Sequence, residues 1–208
     1  MKLYVTPTSP YARLTMIVRL ELGLAERIEL VWAKSRIPDD PMLAFNPSGR
    51  IPFLHLDDGS GFEDTDLIVE YLDLLGPQRR LARPEMAEIG VDAYWDFRRQ
   101  EMTARSMLDG ASVWGRELVR PQNEQSPGII VHERGRALRL AHVFEGLVGG
   151  DVLTGPLNLP QLLLFCVLNL EFRLPEFDWR RGHPALDAWF DRMRDFPSVR
   201  NSEPPPST

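Results

Sequence analysis

Apolar positions come in short strand-like runs over the first third of the chain and at helical spacing over the rest. Lys2-Leu3-Tyr4-Val5 is a β-rich run stopped by Thr6-Pro7. From Pro10 to Leu22, the residues Leu14, Ile17, Val18 and Leu22 recur at helical spacing, and Gly23 stands where a helix-ending glycine belongs. Residues 28–32 read as a second strand. Strand, helix and strand in that order predict a parallel pair with a right-handed crossover. Residues 34–47 are polar and proline-punctuated, with one irregular helix expected near 41–45. Phe53-Leu54-His55-Leu56 is a third strand. The turn signal Asp57-Asp58-Gly59-Ser60-Gly61 then predicts a hairpin with a short fourth strand near Phe62. Asp64-Thr65 opens a helix, with Leu67, Ile68, Tyr71, Leu72 and Leu75 expected on one face.

The pattern breaks at GPQRRLARP, residues 76–84. Everything beyond it reads as helix. One long helix is expected over 85–119, an interruption over 121–128 and a second helix over 131–148, ended by Gly149-Gly150. The nearly all-apolar run 159–172 predicts a buried central helix, and 185–194 a further helix. Asn158 and Gln161 sit as N-cap and third residue of a capping box. The tail NSEPPPST is expected to be extended. The chain thus reads as an α/β domain at 1–76, a linker at 77–83 and an all-α domain at 84–208, without internal repeats.

With 208 residues, 43% of them hydrophobic and 26% charged, the chain can bury a core. Its net charge of −6 argues against sequence-independent nucleic-acid binding, which needs a basic footprint. The single cysteine, Cys166, excludes an internal disulfide framework or a CxxC pair and falls in the apolar helix as a buried structural thiol. The four histidines lie scattered without metal-ligand spacing, so no metal is expected. No signal-peptide core and no apolar stretch of membrane-spanning length occurs, which makes cytoplasmic the expected location, with no membrane partner.

Four local features carry the chemistry in combination. Thr6-Pro7-Thr8-Ser9-Pro10-Tyr11 joins the first strand to the first helix, and Asn46-Pro47-Ser48-Gly49-Arg50-Ile51-Pro52 leads into the third strand. Asp64-Thr65 starts a helix, and an all-helical half follows near residue 80. Each has a plain structural reading. Ser9-Pro10 is the N-cap and N1 pattern of an ordinary helix, Ile51-Pro52 can open an edge strand, Asp64-Thr65 can cap, and Arg50 can be a solvated surface arginine.

Together and in this order, these segments resemble bacterial glutathione S-transferases. KLYVTPTSPYAR is similar to the family's opening strand and TSP-type loop, and NPSGRIPFL to its NPxGKVPxL segment. DTDLIVEYL is similar to ESxAIxxYL, with Asp64 at the Glu position and Thr65 at the Ser position. DWRRGHPALDAWFDRMRDFPSV resembles the family's terminal helix region. The resemblance implies a thioredoxin-like domain followed by a helical bundle, a homodimer, and glutathione bound in the first domain beside a small apolar electrophile.

By this resemblance Ser9 hydrogen-bonds the glutathione sulfur and favours its thiolate, aided by the helix N-terminus. Thr8 and Thr6 are its competitors, Tyr4 is the weaker tyrosine alternative, and Tyr11 shapes the electrophile pocket. The Ile51-Pro52 bond is expected to be cis, so that the Ile51 main chain pairs with the cysteinyl unit as another strand would. Asp64 and Thr65 hold the γ-glutamyl end, with Glu63 as alternate. Arg50, Lys34 or Arg36 meets the glycyl carboxylate. Met102, Met107 and Trp114 are candidate electrophile-pocket walls. Without a cysteine at position 9, a mixed disulfide cannot form there. The implied activity is glutathione transfer in detoxification. A non-catalytic regulatory protein, and a glutathione-dependent peroxidase, lyase or isomerase, are the alternatives.

Overall fold

The structure, a computed structural model, describes residues 1–34, 37–77, 81 and 83–203. Arg36, most of the expected linker and the last five residues of the tail lie outside the described residues. The chain divides into two compact units, the first formed by Met1–Arg83 with the segment from Phe196 onward, the second by Pro84–Asp195.

The first unit has the order β1 (Lys2–Val5), α1 (Pro10–Glu21), β2 (Glu29–Trp32), a 3-10 turn (Pro41–Ala44), β3 (Phe53–His55), β4 (Gly61–Phe62) and α2 (Thr65–Leu75). The strands line up as β2-β1-β3-β4. β1 runs parallel to β2, with Val5 opposite Trp32, and antiparallel to β3, with Tyr4 opposite Phe53. This is the thioredoxin-like domain that the resemblance implied. Side chains alternate across the pleat, so Leu3, Val5 and Leu54 enter the core with Leu14, Ile17, Ile68 and Leu72. The buried stripe of α2 is Thr65, Ile68, Val69, Leu72 and Asp73. The expected face was rotated by about one residue: Leu67 points outward, and Val69 takes its place. Asp73 is buried, and its carboxylate accepts the Leu81 N–H at 3.1 Å. In the hairpin turn, the Ser60 hydroxyl and N–H both donate to Asp58 and hold its carboxyl below the usual carboxylate range.

The second unit contains α3 (Met86–Ile89), α4 (Val91–Leu118), a 3-10 turn (Gln122–Glu124), α5 (Pro127–Glu145), α6 (Asp151–Thr154), α7 (Leu159–Leu168) running into a 3-10 turn (Asn169–Phe172), and α8 (Pro184–Arg194). α4 packs on both α5 and α7, and all ten residues of α7 are buried. The single helix expected from residue 85 is broken at Gly90, whose φ of +84° is a left-handed conformation that few other residues adopt cheaply. α5 begins at Pro127, four residues earlier than expected, because Ser126 caps it and Pro127 fits the first helical position. Asn158 caps α7 through Oδ1, which accepts the Gln161 N–H at 3.1 Å. The Gln161 amide does not complete the expected box; it donates to the carbonyls of Val152 and Gly155, tying α6 to α7.

Two short helices, α6 and α9, were not expected at all. α9 (Pro197–Arg200) packs on α1, so the segment after Asp195 belongs with the first unit rather than the helical one. Val199 and Ser202 are buried there, and Arg13 Nε donates to Ser202 Oγ.

Candidate functional site

Strand direction gathers the candidate residues at one end of the first unit's sheet. The loops after β1 and β2 leave from the same end because these strands are parallel; there Ala33 N–H donates to the Val5 carbonyl at 2.8 Å. β3 is antiparallel to β1, so its start at Phe53, and Ile51-Pro52 just before it, lie at that end too. β4 is antiparallel to β3 and returns Glu63, Asp64 and Thr65 to the same place. Ser48 Oγ donates to the Glu63 carboxylate, joining the segment before β3 to the one after β4.

Ser9 is the N-cap of α1. Its Oγ accepts the Ala12 N–H at 3.2 Å, and its own N–H donates to the Thr6 carbonyl. A hydroxyl that accepts one bond keeps its proton to donate. Thr8 is exposed, while Thr6 and Tyr11 are half-buried. Tyr4 stands among Phe45, Phe53 and His55, within 6.4 Å of each ring.

The segment 46–52 is built around Asn46, which is buried. Asn46 Nδ2 donates to the Arg50 carbonyl at 2.9 Å, and its Oδ1 lies 3.1 Å from the Ser48 hydroxyl oxygen. The Ile51-Pro52 peptide is cis, as expected from the resemblance. The ladder begins at Phe53, which leaves the main chain of Ile51 outside the sheet's own pairing. Arg50 and Lys34 are exposed, and neither is ion-paired among the described residues.

Asp64 caps α2: its Oδ1 accepts the Asp66 N–H at 2.9 Å and lies 3.4 Å from the Leu67 nitrogen. Thr65, buried, is the first helical residue, and the cap does not engage its N–H. A helix N-terminus with an unengaged amide favours an anion.

The candidate pocket walls on α4 do not share a face. Met102 is exposed, whereas Met107 and Trp114 are buried in the second unit's core. Five residues turn a helix by about 140° from face to face, while seven bring Met107 and Trp114 into line. Met107 is therefore a core residue and not a wall. Cys166 is buried in α7, and no described group of His, Cys, Asp and Glu residues could hold a metal ion. No described helix is long and apolar enough to cross a membrane. Sequence reasoning gave Asn46 no role of its own and missed the Ser48–Glu63 contact. The Asn-Pro-Ser-Gly turn chemistry hints at the first and nothing local at the second.

A sheet of this topology followed by a helical unit is a thioredoxin-like domain joined to an all-helical one. Residues 3–80 match the family model for the glutathione S-transferase N-terminal domain, and the chain is similar over nearly its whole length to members of the glutathione S-transferase superfamily. It is 29% identical to the uncharacterized GST-like protein YibF of Escherichia coli K12, over 99% of both chains. It is 28% identical to glutathione S-transferase 2 of Saccharomyces cerevisiae, over 96% of this chain and 88% of the relative. Among solved structures it is similar to a glutathione transferase family member from Pseudomonas fluorescens Pf-5 with bound glutathione, at 27% identity, a TM-score of 0.84 and 98% of each chain. The same family member was also solved with S-(propanoic acid)-glutathione.

Proposed function

We propose that the protein is a glutathione transferase that adds the glutathione thiolate to a small apolar electrophile. The observation that carries this reading is the convergence of the Ser9 cap, the Ile51-Pro52 turn and the α2 N-terminus at one sheet end. A tripeptide laid across that end meets a complementary group at each of its parts. The Ser9 O–H donates to the sulfur. The Ile51 N–H and C=O pair with the cysteinyl main chain. Thr65 receives the γ-glutamyl carboxylate, and Asp64, with Glu63 nearby, receives the ammonium. A carboxylate has lone pairs enough to cap a helix and pair with a cation at once. Arg50 or Lys34 meets the glycyl carboxylate.

The chemistry needs no metal. The site withdraws the thiol proton to solvent by favouring the thiolate, and it fixes the sulfur beside the acceptor carbon. With an aryl halide, the sulfur–carbon bond forms, the carbon–halogen bond breaks and halide leaves with the bonding pair. The bound glutathione and glutathione conjugate in the Pseudomonas relative support the ligand assignment. The protein works as a homodimer in the cytoplasm under this reading.

Calorimetric titration with glutathione, followed by turnover of a generic aryl halide, tests the proposal. Saturable binding with turnover is expected. Binding without turnover on any electrophile would leave a regulatory or binding protein, and absence of binding would overturn the ligand itself.

A further inference from the structure

Tyr4, Phe53 and His55 alternate with Leu3 and Leu54 along β1 and β3, so they occupy the sheet face away from the core formed with α1 and α2. Phe45, at the end of the 3-10 turn, reaches this face. Its ring lies flat on the His55 imidazole, with centroids 4.3 Å apart and planes 4° from parallel. Phe45 also meets Tyr4 at 5.5 Å and Phe53 at 5.9 Å, both tilted. The next residue is Asn46, whose amide fixes the Arg50 carbonyl. Ile51 follows directly. The chain of contact therefore runs from a strand, through His55 and Phe45, into Asn46 and the segment 46–52. At its far end the same segment is held covalently by β3.

We propose that His55 is a positioning residue for the ligand site: its ring, stacked on Phe45, holds the segment 46–52 in the arrangement that receives the peptide part of the ligand. That the ligand is glutathione rests on the reading above; the ordering of the segment does not. An imidazole suits this half-buried position because its flat face packs as a phenyl does. A β-branched residue would satisfy the strand equally well but would give Phe45 no flat partner.

Hydrogen exchange on the ligand-free protein is the first test. The Asn46, Gly49 and Arg50 amides report on the segment, since each is bonded within it or to the preceding 3-10 turn. The Asp66 and Ile68 amides of α2 serve as the internal control. His55→Val is expected to speed exchange at the three reporters by about tenfold while leaving the control unchanged. His55→Phe, which keeps a flat ring, is expected to restore the wild-type pattern. In the second test, His55→Val raises the dissociation constant and KM for glutathione by about three- to tenfold, the scale of one aromatic pair, with kcat unchanged. Unchanged reporters, a uniform rise across the unit, or equal effects of His55→Val and His55→Phe would each overturn the proposal. If His55→Val does not fold, Phe45→Leu removes the other ring and gives the same readings. Failure of the wild-type protein to bind glutathione would sink the functional reading, and the exchange pattern would still decide the role of His55.

Discussion

The Ser9 hydroxyl already accepts the Ala12 N–H at 3.2 Å, so α1 is capped by the same atom that would meet a thiol sulfur. The two roles separate on substitution. Ser9→Ala is expected to lower stability by about 1 kcal/mol, measured by denaturant titration. If the hydroxyl lowers the bound thiol by about one to two pKa units, turnover at neutral pH falls by roughly ten- to a hundredfold at most. The loss shrinks as pH rises towards the free thiol's value of ~8.5, because an unaided thiol then ionises by itself. Thiolate absorbance of bound glutathione across pH checks this. An unchanged titration would move the role to Thr8, Thr6 or a main-chain N–H. The Ser9-Pro10 cap was readable in sequence because a cap is a contact between near neighbours. The His55–Phe45 stack was not, because a loop separates the two residues and no local period links them.

At the scale of elements, start and stop chemistry explains both the agreements and the departures. The strands, α1, α2, α7 and α8 follow their apolar runs and caps closely. The long helix breaks at Gly90 because the chain turns through a positive φ there, and a glycine inside an otherwise helical run does not announce its conformation. The face of α2 was misplaced because both Leu67 and Val69 are apolar, and only packing selects the buried one. Asn158→Ala tests the α7 start. The cap bond to Gln161 is lost at the head of a wholly buried helix, and a cost of about 1 kcal/mol is expected in equilibrium unfolding. Asn158→Asp keeps the acceptor but loses the Nδ2 bonds to the Val152 and Pro156 carbonyls, and is expected to recover only part of it. An unaffected Asn158→Ala protein would show that the Gln161 side-chain bonds hold this turn alone.

For the whole molecule, the segment after Asp195 is structural to the first unit. Deleting it strips buried Val199 and Ser202 from α1. Removing Val199 alone forfeits about 2 kcal/mol of burial, so a fall of at least about 4 °C is expected in the first unit's melting transition by calorimetry. An unshifted transition would contradict the packing of α9 on α1. Homodimer formation predicts a sedimenting species of twice 23.8 kDa at micromolar concentration, and a species of 23.8 kDa would refute it. Apolar Val91, Trp95 and Met102, exposed along the first half of α4, offer surface for such contact. From sequence alone came the order of strands and helices, the caps, the turn before β3 and the family resemblance, all set by interactions between residues close in the chain. Tertiary structure alone decided which sheet end collects Ser9, Ile51, Asp64 and Thr65, which face of α2 is buried, the return of α9 to α1 and the His55–Phe45 stack. Each of these joins residues that no local rule connects, and strand pairing and packing in three dimensions choose among partners of similar chemistry.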